Sequence, residues 1–189
     1  GYRQILTASL SDQIEEMASR NIKMRFLLVP PWEEAYQLVY GSQDRVMSNY
    51  LKVFDAILFG SSSSANHCEV RFCDKPLFND TDLVDADFIT GPYMHNRDKH
   101  NKKISAQDFF TYELKRESGL HGLVKDEFTA LWDECDTQLD WEKYRIISEK
   151  IHNSDLNDAE IQENIREAIV EISETQKEET ISEVVPAKP

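Results

Sequence analysis

Apolar residues recur at helical spacing through the second half of this chain, and turn or capping residues separate one group from the next. Four isoleucines near the C-terminus show the pattern most clearly: Ile161, Ile165, Ile169 and Ile172. Asn157 and Glu160 precede them with the spacing of a capping box. Similar stripes follow Ser105, Gly119 and Thr137, and Gly119 is expected to end the helix that begins at Ser105. Because the connections are short, we expect a C-terminal antiparallel helical bundle.

In the first half of the chain, the spacing of apolar residues changes once, from helical spacing to alternation. Residues 22–29 alternate between apolar and other side chains, which predicts a strand, and residues 68–73 could form a second one. Between them, a wide apolar face from Val46 to Leu58 predicts a strong helix that Gly60 ends. The predicted fold class is therefore mainly α, a helical core with a minor β element; an α+β fold stays open.

The positions of turn, loop and capping residues predict that the chain has four parts. Residues 1–60 form a helix–strand–helix unit, and residues 61–104 form an irregular, loop-rich segment. Residues 105–174 form the acidic helical bundle, and residues 175–189 form a flexible tail. With 189 residues, the chain has the length of one compact domain plus this tail.

Negative charge is concentrated in the helical half. The net charge is −14; residues 1–105 carry 12 Lys and Arg against 14 Asp and Glu, whereas residues 106–189 carry 9 against 21. Such a region repels nucleic-acid phosphates and attracts basic proteins. We therefore expect a non-enzymatic interaction or assembly factor that binds a basic partner, with nucleic-acid mimicry as one variant. The predicted contact residues are Asp133, Glu134, Asp136 and Asp140.

A different set of residues suggests a metal. Two Cys and two His form pairs with four intervening residues, and zinc binds such N and S ligands tetrahedrally: Cys68, Cys73, His95 and His100. The alternative function is therefore a small zinc-stabilised or metal-dependent enzyme domain centred on residues 67–100. Against it, strand residues five apart point to opposite faces. A basic island also surrounds the two His and would repel a cation: Arg97, Lys99, Lys102 and Lys103.

Other classes of function have little support in the sequence. With only six Gly, the chain has neither a Walker loop nor a dinucleotide-binding loop, and no Ser lies in a Gly-x-Ser-x-Gly elbow. We expect no membrane span, because no apolar run approaches about 18 residues. Three Cys and an N-terminus unlike a secretory signal predict a reducing, intracellular setting. We expect the protein to bind either no cofactor or one structural zinc ion.

Overall fold

The computed structural model describes residues 8–36, 46–60, 64–77, 79–84, 87–92, 112–116, 118–174 and 176. The helices in these ranges are α1 (Ala8–Ser19), α2 (Val46–Gly60), α3 (Ser64–His67), α4 (Gly119–Glu134), α5 (Trp141–His152) and α6 (Asp158–Glu167). The strands are β1 (Met24–Leu28), β2 (Cys68–Phe72), β3 (Asn79–Val84), β4 (Asp87–Pro92), β5 (Tyr112–Leu114), β6 (Thr137–Leu139) and β7 (Ile169–Glu171). The described chain is therefore α+β.

Four strands form a mixed sheet in the order β1-β2-β6-β7. β1 and β2 are parallel, with Met24 opposite Cys68, and the chain crosses between them through α2 and α3. β6 runs antiparallel to both of its neighbours, with Thr137 opposite Phe72 on one side and Glu171 on the other. This sheet thus joins the first and last thirds of the chain.

A second sheet contains three antiparallel strands in the order β3-β4-β5. β3 and β4 form a hairpin in which Val84 is opposite Asp87, and β5 adds to the other edge of β4. Residues 61–104, predicted to be loop-rich, therefore contain β2, β3 and β4. The stripe after Ser105 predicted a helix, but its described part, Tyr112–Leu114, is a strand.

The hydrophobic core lies between one face of the four-stranded sheet and the helices α1, α2, α5 and α6. Phe54 of α2 is fully buried at its centre, where its ring makes edge-to-face contacts with Phe72 at 6.4 Å and Tyr144 at 5.4 Å. Trp141 packs on the same ring at 6.3 Å and donates a hydrogen bond from Nε1 to the Cys68 carbonyl, 2.7 Å away. These contacts hold α2 and α5 against β2.

The prediction of a mainly α fold with a C-terminal antiparallel bundle is wrong. In the described residues the sheet strand β6 separates α4 from α5, and a second sheet strand, β7, follows α6. Asp140 alone caps α5, because Thr137 pairs with β2 instead of opening the helix. Ile169 and Ile172 lie beyond α6, where the β-branched pair Ile169-Val170 joins the sheet.

Several local predictions are confirmed. The alternating segment forms β1, the apolar face after Val46 forms α2, and Asn157 and Glu160 form a reciprocal capping box at the start of α6. Gly119, by contrast, begins α4 instead of ending a helix, with Ser118 as its N-cap. The predicted tail lies outside the described residues except for Gln176.

Candidate functional site

One face of the four-stranded sheet, here called the polar face, carries the charged side chains of β1 and β2 beside the apolar Leu27 and Val170. Successive side chains of a strand point to opposite faces, and the register aligns Arg25 with Glu69 and Arg71 with Gln138. The neighbouring strand residues belong to the hydrophobic core on the other face: Met24, Cys68, Val70, Phe72 and Leu139. The sheet therefore separates the core from a surface that carries charged and amide groups.

Arg71 is the buried charge of this polar face, with only 1% of its surface exposed. Its Nε and Nη2 lie 2.8 and 2.7 Å from one oxygen of Glu69, and its Nη1 donates to the Trp132 carbonyl at 3.0 Å. Its guanidinium lies 4.4 Å from the centre of the Trp132 ring, and that of Arg25 lies 5.4 Å from it. These cation–π contacts attach the C-terminal half of α4 to the sheet.

A cleft of about 440 Å³ opens where β1 and β2 begin and β6 ends. The cationic side chains of Lys23, Arg25 and Arg71 and the Glu69 carboxylate line its walls. Amide side chains of Asn66, Gln138 and Gln176 and the Trp141 ring also line the cleft. A cationic cleft is unexpected on a chain of net charge −14, and nothing in the linear sequence pointed to it.

The other end of the same sheet is acidic. β2 ends before Asp74, α4 ends with Asp133 and Glu134, Asp136 precedes β6, and β7 ends at Glu171. The Ile172 amide donates to the Asp136 carbonyl at 2.8 Å, which fixes the end of β7 beside the start of β6. We call these five acids the acidic edge. Asp133 is half-buried and the other four are exposed.

Three of the four acids predicted to bind a partner belong to this acidic edge. Glu134 forms an exposed ion pair with Lys75, which raises the pKa of that lysine through their hydrogen bond. Asp140, the fourth, lies at the opposite end of β6 and accepts hydrogen bonds from the amides of Glu142 and Lys143 at 3.0 and 3.1 Å. The structure thus brings Asp133, Glu134 and Asp136 together and gives Asp140 a capping role.

Only two of the four predicted zinc ligands lie in the described residues. Cys68 packs in the hydrophobic core, whereas Cys73 lies on the other side of β2 near Cys135. His95, His100 and the basic island of Arg97, Lys99, Lys102 and Lys103 lie outside the described residues. Within the described residues, no group of three or more His, Cys, Asp or Glu side chains could hold a metal ion. The zinc site therefore stays a prediction.

Cys73 and Cys135 form a pair of free, buried thiols. Because Phe72 is opposite Thr137 in the ladder, Cys73 continues beside the residues that precede β6. A hydrogen bond from Cys135 lowers the pKa of Cys73 to about 7, with a weaker contribution from the Lys75 amide, which lies 3.4 Å from Sγ. The same thiol contact, together with burial, raises the pKa of Cys135. No spacing or motif in the sequence indicated that these two cysteines lie close together.

A second polar cluster joins α2 to α5. Asp55 Oδ1 accepts hydrogen bonds from the Tyr144 hydroxyl at 2.9 Å and the Ser148 hydroxyl at 3.0 Å, and Oδ2 lies 2.9 Å from His152 Nε2. The three α5 residues are spaced by four and so share one helix face. That spacing is visible in the sequence, but their common partner, about 90 residues earlier, is not. Burial and the Asp55 carboxylate raise the pKa of Tyr144.

Comparisons with known proteins add no assignment to this geometry. No protein-family model, curated protein or solved structure matches the chain. Among the helices of the described residues, none is both long enough and apolar enough to cross a membrane.

Proposed function

We propose that this chain is a non-catalytic interaction or assembly factor of an intracellular setting that binds a basic protein partner through the acidic edge. The observation that supports the proposal is the convergence of acids from separate segments at one end of the sheet: Asp74, Asp133, Glu134, Asp136 and Glu171. Lys75 pairs with one member of this group, Glu134. A partner that carries Lys or Arg would find several carboxylates within one contact area.

The position of two of these acids is unfavourable for the isolated protein. Asp133 and Glu134 lie in the last turn of α4, which contains no basic residue. A helix C-terminus carries partial negative charge, so each exposed acid there costs about 0.3–1 kcal/mol at low salt. Repulsion among neighbouring carboxylates adds to that cost. A basic partner would remove both penalties, which is why the acidic edge suits binding better than stability.

Lys75 defines how a partner would engage the acidic edge. Its ammonium group pairs with Glu134 in the free protein, and both side chains are about half exposed. Exposed pairs of this kind contribute little to stability, so a guanidinium of the partner can displace the lysine at small cost. A bidentate Arg would gain more from each carboxylate than a Lys. We therefore favour an Arg-rich partner surface.

The test compares two variants with the same change of charge. The edge variant combines Asp133→Asn, Glu134→Gln and Asp136→Asn; the control combines Asp126→Asn, Glu127→Gln and Glu149→Gln, which are exposed acids elsewhere on α4 and α5. Binding of a fluorescent Arg-rich decapeptide is measured by anisotropy at several NaCl concentrations. We expect the edge variant to weaken binding about tenfold and the control less than about threefold.

Two results would contradict the proposal. Equal loss of affinity in the edge variant and the control would mean that only the net charge attracts the peptide. Affinity that does not change with salt would exclude electrostatic attraction as its source, since exposed charges are screened beyond about 8 Å at physiological ionic strength. Circular dichroism of both variants checks that they fold.

A further inference from the structure

The thiols of Cys73 and Cys135 meet at one end of the four-stranded sheet. Cys73 directly follows β2, and Cys135 is the C-cap residue of α4, just before β6. The described ladder between β2 and β6 ends at the pair of Phe72 and Thr137, so both cysteines lie at that end. Both are free, with 3% and 4% of their surfaces exposed, and a hydrogen bond joins their side chains. The fold thus brings together two nucleophilic groups that the proposed function does not use.

The surroundings of Cys73 favour its thiolate, which is the reactive form of a cysteine. Hydrogen bonds from the Cys135 thiol and the Lys75 amide hold its pKa at about 7, whereas burial and the Asp74 carboxylate oppose this effect without cancelling it. The same contact with Cys73, together with burial, raises the pKa of Cys135, which therefore keeps its proton. The two thiols consequently differ in role: Cys73 is the nucleophile and Cys135 is the neighbouring proton donor.

Cys68 provides a contrast within the same strand. It packs in the hydrophobic core at the start of β2, where burial raises its pKa to about 12. Cys68 and Cys73 are five residues apart along an extended chain and so point to opposite faces of the sheet. The three free cysteines therefore comprise one inert thiol and one reactive pair.

We propose that Cys73 and Cys135 form a site of reversible oxidation, at which hydrogen peroxide converts the two thiols into a disulfide. The Cys73 thiolate attacks one peroxide oxygen, the O–O bond breaks, and the other oxygen leaves as hydroxide and takes up a proton to give water. The Cys135 sulfur then attacks the sulfur of the Cys73 sulfenic acid. The S–O bond breaks, and the hydroxyl group leaves with the Cys135 proton as a second water. The two thiols thus lose two electrons, which reduce one peroxide to two waters.

The local backbone allows the two sulfurs to approach each other. A disulfide requires a separation of about 2.05 Å, so the side chains must move closer than a hydrogen bond holds them. Cys135 lies beyond the last residue of α4 in extended backbone, with φ −69° and ψ 129°. Its thiol also lies 3.1 Å from the Leu131 carbonyl, a weak contact that a side-chain rotation gives up at small cost.

Burial determines which class of oxidant can react. A peptide disulfide such as glutathione disulfide must bring its own sulfur into line with the attacking thiolate, and the small exposed fraction of Cys73 leaves little space for it. Hydrogen peroxide is uncharged and close to water in size. Asp74, which follows Cys73, is exposed, so a small oxidant has a short path from solvent to the thiolate.

Mass spectrometry of the full chain tests the proposal. The reduced protein is treated with a series of hydrogen peroxide concentrations, the peroxide is removed with catalase, and the chain is denatured in the presence of N-ethylmaleimide. We expect the untreated chain to take up three maleimides and the oxidised chain to take up one, at Cys68. A tryptic digest should contain Cys73 joined to Cys135, and dithiothreitol should restore the uptake of three maleimides.

Variants assign the two roles. In Cys135→Ser the reaction should stop at the Cys73 sulfenic acid, which dimedone traps. In Cys73→Ser we expect about tenfold less dimedone adduct, because the remaining thiol at Cys135 is largely protonated. The matched control is Cys68→Ala, which should form the disulfide at a rate within about twofold of the unchanged protein. The peptide map of the unchanged protein gives the result independently of whether each variant folds.

Three outcomes would overturn the inference. They are the uptake of three maleimides at every peroxide concentration, a disulfide that includes Cys68 or joins two molecules, and equal dimedone labelling of the two serine variants. Oxidation in guanidinium chloride is the control for folding: there the short loop between Cys68 and Cys73 should close most readily. Pairing of Cys73 with Cys135 would therefore reflect the folded arrangement.

The inference and the proposed function can fail separately. The peroxide experiment contains no partner, so its result does not depend on whether a basic peptide binds. Conversely, the edge variant used for peptide binding retains all three cysteines and should still form the disulfide.

Discussion

The contact of Asp55 with α5 allows a quantitative test of how α2 and α5 are held together. Replacement Asp55→Ala removes the acceptor of two hydroxyl groups, on Tyr144 and Ser148, whose residues are both fully buried. A hydrogen bond to a charged group contributes about 1.5–3 kcal/mol, and leaving its partner buried without an acceptor adds to the loss. We therefore expect the free energy of unfolding to fall by about 3–5 kcal/mol.

The single hydroxyl deletions should cost less. Tyr144→Phe and Ser148→Ala each remove one donor, while Asp55 keeps its remaining hydroxyl partner and His152. We expect a loss of about 1–2 kcal/mol for each. In the Asp55→Ala background the same deletions should be nearly neutral, because the hydroxyl that they remove no longer has its acceptor. The coupling energy of the double-mutant cycle should therefore be at least about 1 kcal/mol.

Urea denaturation followed by tryptophan fluorescence and by circular dichroism measures these differences. Coincident transitions and equal m-values would show that the variants unfold in a single step, as the cycle requires. Asp126→Ala, an exposed acid on α4, is the control and should change stability by less than about 0.5 kcal/mol. Additive effects of Asp55→Ala and Ser148→Ala would refute the reasoning, since they would mean that the carboxylate does not stabilise the hydroxyl.

Two further predictions concern stability. The pKa of the Cys73 thiol is lowered to about 7 from its ordinary value of 9, so between pH 7 and pH 9 the thiol is ionised in the folded protein and still protonated in the unfolded protein. The free energy of unfolding should therefore rise from pH 7 to pH 9. Cys73→Ser should flatten that rise in urea midpoints measured across this range; parallel profiles would contradict it. Asn157→Ala removes the cap that accepts from the amides of Ala159 and Glu160 and should cost about 1 kcal/mol in the same assay, whereas no change would show that the cap is dispensable.

Local sequence patterns predicted the elements that depend on local interactions. β1 follows from alternation, α2 from an apolar face, and the start of α6 from a capping pair whose side chains and amides are three residues apart. β6 and β7 could not be predicted in this way, because three residues are too few to show a period. β6 depends on pairing with β2, about 65 residues earlier in the chain, and β7 depends on pairing with β6, about 30 residues earlier.

The candidate sites were harder to predict than the fold, because they contain residues that are far apart in the sequence. The acidic edge was predicted in part, because Asp133, Glu134 and Asp136 are near one another in the sequence and need no fold to gather them. The cationic cleft unites Lys23, Glu69 and Gln138, which come together only after three strands pair. A capping role for Asp140 depended on where β6 ends, and the sequence did not show that boundary.

The two charged regions also lie at opposite ends of the strands of the four-stranded sheet. Cationic side chains at one end of β2 and the acidic edge at the other give the electric field of the described sheet a direction along its strands. An approaching basic protein would be turned towards the acidic edge before any contact forms. Salt would weaken this orienting torque more than it weakens contacts already made, so it should affect association rates more than complex lifetimes.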